Sequence, residues 1–161
     1  THKGNKTELK GYNSDVIGFT QSIEPLLERY HKKALVLGTG GASKAIIFSL
    51  KSLGIETLTV SRYERHGCVR YEDITPEMIK EYNVIVNCTP CGMYPQTDDC
   101  PNLPYEAMDS HTLLYDLIYN PDETLFLKKG KAQGATVKNG LEMLLLQAFA
   151  SWNFWNSDAD K

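Results

Sequence analysis

The sequence predicts an α/β chain on a doubly wound, six-stranded parallel sheet with helices on both faces, and three observations predict it. Short apolar runs alternate with stretches of helical period along the whole chain. One run, Ala34-Leu35-Val36-Leu37, is apolar throughout, which suits a strand buried on both faces of a parallel sheet. A glycine-rich turn, Gly38-Thr39-Gly40-Gly41, then separates that run from the next helical stretch.

The elements follow in order. Val16 to Tyr30 reads as a helix from the spacing of Ile23, Leu26, Leu27 and Tyr30, with a kink or break expected at Pro25. The strand at Ala34 to Leu37 comes next, then a helix from Ala45 to Leu53 ended by Gly54. Thr57 to Val60 is a second strand and Cys68 to Tyr71 a short third. Pro76 to Glu81 is a short helix, and Asn83 to Asn87 a fourth strand. Cys88 to Asp109 holds four prolines and reads as a loop. Leu113 to Leu117 is a fifth strand, Leu125 to Ala132 a helix, Ala135 to Val137 a sixth strand and Leu141 to Trp155 a final helix. Residues 1–14 read as a linker or junction segment, and 15–161 as one domain.

Composition narrows the class. The 161 residues are 42% hydrophobic and 23% charged, enough apolar material for one packed core. The net charge of -3 argues against nucleic acid or an anionic membrane surface as the main partner. No run approaches the roughly 20 apolar residues of a membrane helix, and no signal peptide opens the chain, so a cytoplasmic protein is expected. The chain begins at Thr1 with a mainly polar segment, which reads as part of a longer protein. Cys88 and Cys91 have C-x-x-C spacing. A zinc site would want a second such pair or spaced histidines, and a thioredoxin-like pair would open a helix, whereas Pro90 and Gly92 make a loop. Free thiols and no metal site are expected.

Five stretches carry chemistry. In Gly38-Thr39-Gly40-Gly41-Ala42-Ser43, glycines allow a tight turn and close approach of backbone N–H groups to a pyrophosphate at a helix N-terminus. After the second strand, where an NAD-binding domain usually places an acid for the ribose, this chain places Ser61 and Arg62, with Arg65 and His66 close behind. A guanidinium there suits the 2′-phosphate of NADP, while Glu64 keeps NAD open. Asn87 to Met93 leaves the fourth strand at the edge where such sheets bind ligands. Asp116 lies inside the apolar fifth strand, which is costly for a carboxylate unless it is paired; capping loop N–H groups is its plain role. In the last helix Gly140, Met143 and Gln147 share one face, as ordinary surface and core or as a ligand-facing stripe.

Together, in this order, these stretches resemble shikimate dehydrogenase. Gly11-Tyr12-Asn13-Ser14-Asp15-Val16-Ile17-Gly18-Phe19 is similar to that family's G-x-N-T-D-x-x-G-F signature, with Ser14 in place of threonine. The resemblance runs from about Lys10 to Trp155 and implies a Rossmann-type domain of an enzyme reducing 3-dehydroshikimate to shikimate with NADPH, on the route to aromatic amino acids. It implies that Asp15 is the catalytic aspartate and bonds a substrate hydroxyl. Gly38, Thr39, Gly40, Gly41 and Ala42 would hold the pyrophosphate. Arg62, with Ser61 beside it, would hold the 2′-phosphate, and Arg65 or His66 would supply a second basic contact. Leu117, Gly140 and Met143 would line the nicotinamide side, and Tyr119 and Gln147 would reach the substrate.

The family also has an N-terminal domain that carries a catalytic lysine and the groups for the substrate carboxylate. These residues do not occur in the chain, so alone it is expected to bind NADP and to lack dehydrogenase activity. The oligomeric state stays open. Alternatives are an NAD-dependent quinate/shikimate dehydrogenase, a non-catalytic nucleotide-binding regulatory module, and a methyltransferase on a related sheet. Arg62 speaks against the first and the last.

Overall fold

A computed structural model describes residues 14–159. Gly11 to Asn13 of the signature, and the expected junction segment except Ser14, lie outside the described residues. Residues 14–23 form a helix, α1. The strands are β1 (Lys33–Leu37), β2 (Glu56–Ser61), β3 (Cys68–Arg70), β4 (Val84–Asn87), β5 (Leu113–Asp116) and β6 (Thr136–Lys138). The helices are α2 (Gly41–Ser52), α3 (Pro76–Glu81), α4 (Leu125–Ala132) and α5 (Leu141–Ala159). All strand pairs are parallel, in the order β3-β2-β1-β4-β5-β6. The winding reverses between β1 and β4, and a crevice opens beyond the carboxyl ends of strands at such a point.

β1 shows why the fold needs an uninterrupted apolar run. Ala34 and Val36 pack under α1, α2 and α5 with Phe19, Ile46, Leu50 and Met143. Leu35 and Leu37 pack on the other face under α3 and α4 with Ile79, Phe126 and Leu127. Neither face meets water, so alternation with polar residues would bury them. Two helices start on threonine caps. Thr75 Oγ1 accepts from the Met78 N–H at 3.2 Å ahead of α3, and Thr124 Oγ1 from the Leu127 N–H at 3.4 Å ahead of α4.

Several boundaries differ from the sequence reading. The helix expected over Val16 to Tyr30 ends at residue 23 and passes into a 3-10 turn, Glu24–Leu26, after which Leu27 is extended. Pro25 has no N–H for the carbonyl four residues back, so the break expected there is complete and Tyr30 is not part of the helix. α2 begins at Gly41 rather than Ala45, because the glycine turn itself supplies the first helical turn behind an N-cap at Gly40. β6 is shifted by one residue, β5 stops at Asp116, and α5 runs past Trp155. The stretch Cys88 to Asp109 is loop apart from a 3-10 turn at Tyr105–Ala107.

Two glycines let backbones touch. A Cβ on Gly18 would lie 2.7 Å from the Met143 carbonyl oxygen, so α1 crosses α5 at contact distance there. A Cβ on Gly140 would lie 1.9 Å from the Leu117 carbonyl oxygen, which seats the start of α5 on the loop after β5. The obstruction is backbone, which cannot rotate away. Gly140→Ala is therefore expected to cost about 2–3 kcal/mol or more in urea unfolding. Unchanged stability would show that the contact is loose.

Candidate functional site

The glycine turn continues the β1–β2 ladder before it leaves the sheet. The Gly38 N–H donates to the Val60 carbonyl at 2.9 Å, and Gly38 then takes φ +110°, a conformation that favours glycine. Its α-carbon lies against Thr89, whose Cγ2 would be 3.0 Å from an added Cβ. Ser43 closes the turn by donating from Oγ and N to the Gly40 carbonyl at 2.6 and 3.1 Å. No side chain caps the N-terminus of α2, so its first amides are open to a ligand.

A cleft of about 900 Å³ opens above this turn. Gly38, Thr39 and Gly40 form one wall, the end of β2 with Ser61 and Arg62 another, and the loop from Cys88 to Asn102 a third. A smaller hollow of about 490 Å³ shares Cys88, Thr89, Pro90, Met93 and Tyr94 with it and extends to Leu117, Tyr119 and Asn120. The two make one groove across the switch point, from Arg62 to Tyr119.

Arg62 is exposed on the groove, its guanidinium 5.9 Å from the centre of the Tyr63 ring. Ser61 is buried, and its hydroxyl accepts from the Tyr63 N–H at 3.2 Å, so it shapes the loop. Arg65 reaches back across the groove end and donates to Thr39 Oγ1 at 2.9 Å. His66 is exposed and lines neither hollow. Gly41 and Ala42 are exposed in the first turn of α2, beside the lining residues. Leu117 and Tyr119 line the far section. Gly140 is covered by the Leu117 backbone, and Met143 is buried in the core layer under α1.

Asp15 and Gln147, 132 residues apart in sequence, meet where α1 crosses α5: the Gln147 Nε2 donates to Asp15 Oδ1. Burial pushes the Asp15 carboxyl above its ordinary value. The pair lines neither hollow.

The groove's loops are fixed from beneath by two buried polar side chains at strand ends. Asn87 Nδ2 donates to Asp116 Oδ1 at 3.2 Å and to the Cys91 carbonyl at 3.4 Å. Its Oδ1 accepts from the Thr89 N–H at 3.1 Å and the Thr89 hydroxyl at 2.6 Å. Asp116 Oδ1 also accepts from the Ile118 N–H at 3.0 Å, and its Oδ2 from the Thr124 hydroxyl at 2.6 Å. Burial pushes this carboxyl up to about 6, and the bonds from Thr124, Ile118 and Asn87 pull it back in part. The plain reading of Asp116, holding loop N–H groups, is what the structure places there.

The stretch Asn87 to Met93 was expected at the ligand edge, and Thr89, Pro90 and Met93 of it line both hollows, but the holding role of Asn87 and the part of Tyr94 were missed. An amide ending an apolar strand was the available signal for Asn87. The loop has no period that would tell its lining residues from its outer ones. Among the described residues no group of His, Cys, Asp or Glu is arranged to hold a metal ion, and no helix is long and apolar enough to cross a membrane.

A parallel sheet whose winding reverses beside a glycine turn, with a groove over that point, defines a Rossmann-type domain. The comparisons with known proteins narrow this class. The shikimate dehydrogenase (NADP(+)) of Caldanaerobacter subterraneus subsp. tengcongensis is 36% identical over 93% of this chain and 59% of its own length. That of Crocosphaera subtropica is 36% identical over 93% of the chain and 60% of its own length. Among solved structures, shikimate dehydrogenase from Aquifex aeolicus matches with TM-score 0.76 and 33% identity, over 89% of this chain and 56% of its own. The Thermus thermophilus enzyme in complex with NADP(H) and shikimate matches with TM-score 0.75 and 29% identity, over 89% and 56%. No family model matches. The chain is thus a homologue of shikimate dehydrogenases over nine-tenths of its own length. It spans about three-fifths of the length of the curated relatives it matches.

Asp116 sets a pH dependence. Its folded pKa of about 6 lies above the ordinary 3.8, so the folded state holds the proton more tightly than the unfolded chain does. Its contribution is fully present below pH 3.8 and is lost as pH rises through about 6. In urea unfolding, the stability of the wild type relative to Asp116→Asn is expected to fall between these values, by at most about 1.4 kcal/mol per pH unit. A difference that is flat or rising would contradict the burial cause.

Proposed function

We propose that the chain forms the NADP(H)-binding part of a shikimate dehydrogenase, which reduces the ring carbonyl of 3-dehydroshikimate. The observation that carries the reading is the groove itself, with an open glycine turn at its centre and Arg62, rather than an acid, at the end of β2. The site fits a dinucleotide. Cβ atoms on Gly40 and Gly41 would meet nothing within 4 Å, so the turn's backbone faces open space beside the uncapped start of α2.

On this reading Gly38, its own N–H held by the Val60 carbonyl, makes the turn, and the amides from Thr39 to Ala42 hold the pyrophosphate, because unpaired donors and the helix dipole favour an anion there. Arg62 forms charge-assisted bonds to the 2′-phosphate. Arg65, tied to Thr39, closes the phosphate end of the groove, and His66 lies beyond it. Leu117 and Tyr119 flank the nicotinamide end, with Gly140 and Met143 supporting Leu117 from behind. The cofactor supplies the hydride, and the protein supplies position and a proton. On the same reading Asp15, its carboxyl raised by burial and bonded by Gln147, holds a substrate hydroxyl and shares in that proton transfer.

The outer face of α5 carries exposed Leu141, Leu144, Leu145, Phe149 and Trp152. A soluble protein usually covers so continuous an apolar stripe, and here the further length found in the relatives is the proposed cover.

Titrating the chain with NADPH and with NADH tests the proposal. NADPH is expected to bind about ten or more times as tightly, from charge-assisted bonds of ~1.5–3 kcal/mol, and Arg62→Ala should remove most of that preference. Equal affinities that Arg62→Ala leaves unchanged would contradict the 2′-phosphate role.

A further inference from the structure

The C-x-x-C spacing of Cys88 and Cys91 points to one thiol pair, and the fold favours another. Cys88 packs against the apolar layer beneath α1, α2 and α5. Cys100 packs against the layer on the opposite face, beneath α3 and α4. Between Cys91 and Cys100 the chain doubles back, through turns closed by Met93 N–H to Pro90 O at 3.1 Å and Gln96 N–H to Met93 O at 2.9 Å.

The two arms of this loop touch at Gly92 and Asp99. Gly92 has φ +98°, and a Cβ on it would sit 2.9 Å from the Asp99 carbonyl oxygen. Cys91 and Cys100 are the residues one step outside this contact, so the backbone brings them close together. Both are free, partly exposed thiols, and both line the large cleft. The Cys91 thiol is pushed up by burial first and then by Asp99 and Cys100. Cys88 is the more deeply buried thiol and is pushed up further by that burial, which leaves it the poorer nucleophile.

From this juxtaposition we infer that Cys91 and Cys100 are a redox-active dithiol that closes to a disulfide across the base of the 91–100 loop when a small-molecule disulfide such as oxidised glutathione is present. The step balances. The thiolate of one cysteine attacks a glutathione sulfur, forms a mixed disulfide and releases one glutathione thiolate. The second cysteine's thiolate attacks the protein sulfur of that mixed disulfide and releases the other. Two protein thiols are oxidised to one disulfide, one oxidised glutathione is reduced to two thiols, and the two protons pass to the leaving groups. Because the loop walls the groove, a bound dinucleotide would cover both thiols. This last link rests on the proposed cofactor site, while the disulfide itself does not.

The test uses the whole reduced chain. It is incubated with oxidised glutathione, with and without saturating NADPH, then alkylated and mapped by mass spectrometry. The expected product is one cross-link joining the Cys91 and Cys100 peptides, two hydrogens lighter and reversed by dithiothreitol, with Cys68 and Cys88 alkylated. Cys88→Ser should leave this unchanged. Cys91→Ser and Cys100→Ser should each trap a glutathione adduct on the remaining partner. A Cys88–Cys91 bridge, separate adducts on Cys91 and Cys100 in the wild type, or four untouched thiols would overturn the inference. NADPH should slow the bridging several-fold, and unslowed bridging in a chain that binds NADPH would overturn the coverage of the thiols. A bridge in a chain that binds no NADPH would uphold the dithiol and remove the reading of the cleft.

Discussion

Asp116 is buried at the carboxyl edge of the sheet and joins three parts of the chain that must stay together for the groove to exist. It takes hydrogen bonds from Asn87 at the end of β4, from the backbone of the loop after β5, and from the threonine that caps α4. A carboxylate removed from water is costly, and these bonds offset the cost only while all three partners are in place. Asn87 carries the constraint onward to Thr89 and the Cys91 carbonyl, so the ridge shared by both hollows is fixed from below. The groove is thus held by the end of the sheet, and its exposed loops need little regular structure of their own.

How far the chain could be read from sequence alone follows from where each element meets water. β1 and β4 were legible because a strand covered on both faces can carry only apolar side chains, as Leu35, Val36, Ile85 and Val86 do. The glycine turn was legible because of its place between a strand and a helix. The boundaries of α1 and α2 were not. Leu26 and Leu27 keep a helical spacing after Pro25 has ended the helix, and glycines score as helix breakers even where they form the first turn. The long loop was the least legible part. Pro90, Tyr94 and Cys100 line the cleft through turns and a backbone contact at Gly92 that leave no periodic trace.

For the candidate site, the pairing of Asp15 with Gln147 depends on Gly18, which brings α1 close enough to α5 for their side chains to meet. Spacing on α5 alone could not choose between surface and site for Gln147, and the resemblance to shikimate dehydrogenase did. The place of Arg62 just after the second strand was legible, and the fold sets it on the groove. The tie between Arg65 and Thr39 joins two stretches 26 residues apart and could be seen only in the fold. The nearness of Cys91 to Cys100 had no signal in their spacing, because it depends on the backbone contact between Gly92 and Asp99.

On the proposed function, the groove over the β1–β4 switch point receives a nicotinamide dinucleotide. Backbone amide shifts followed by NMR during an NADP+ titration test it most directly, because they locate the ligand residue by residue. The largest shifts are expected at Gly38 to Ser43, at Ser61 to Arg65 and at Thr89, Cys91 and Gly92, with Leu117 and Tyr119 following. Shifts centred on the opposite edge of the sheet, around Tyr30, His31 and His111, or no shifts at saturating NADP+, would contradict it.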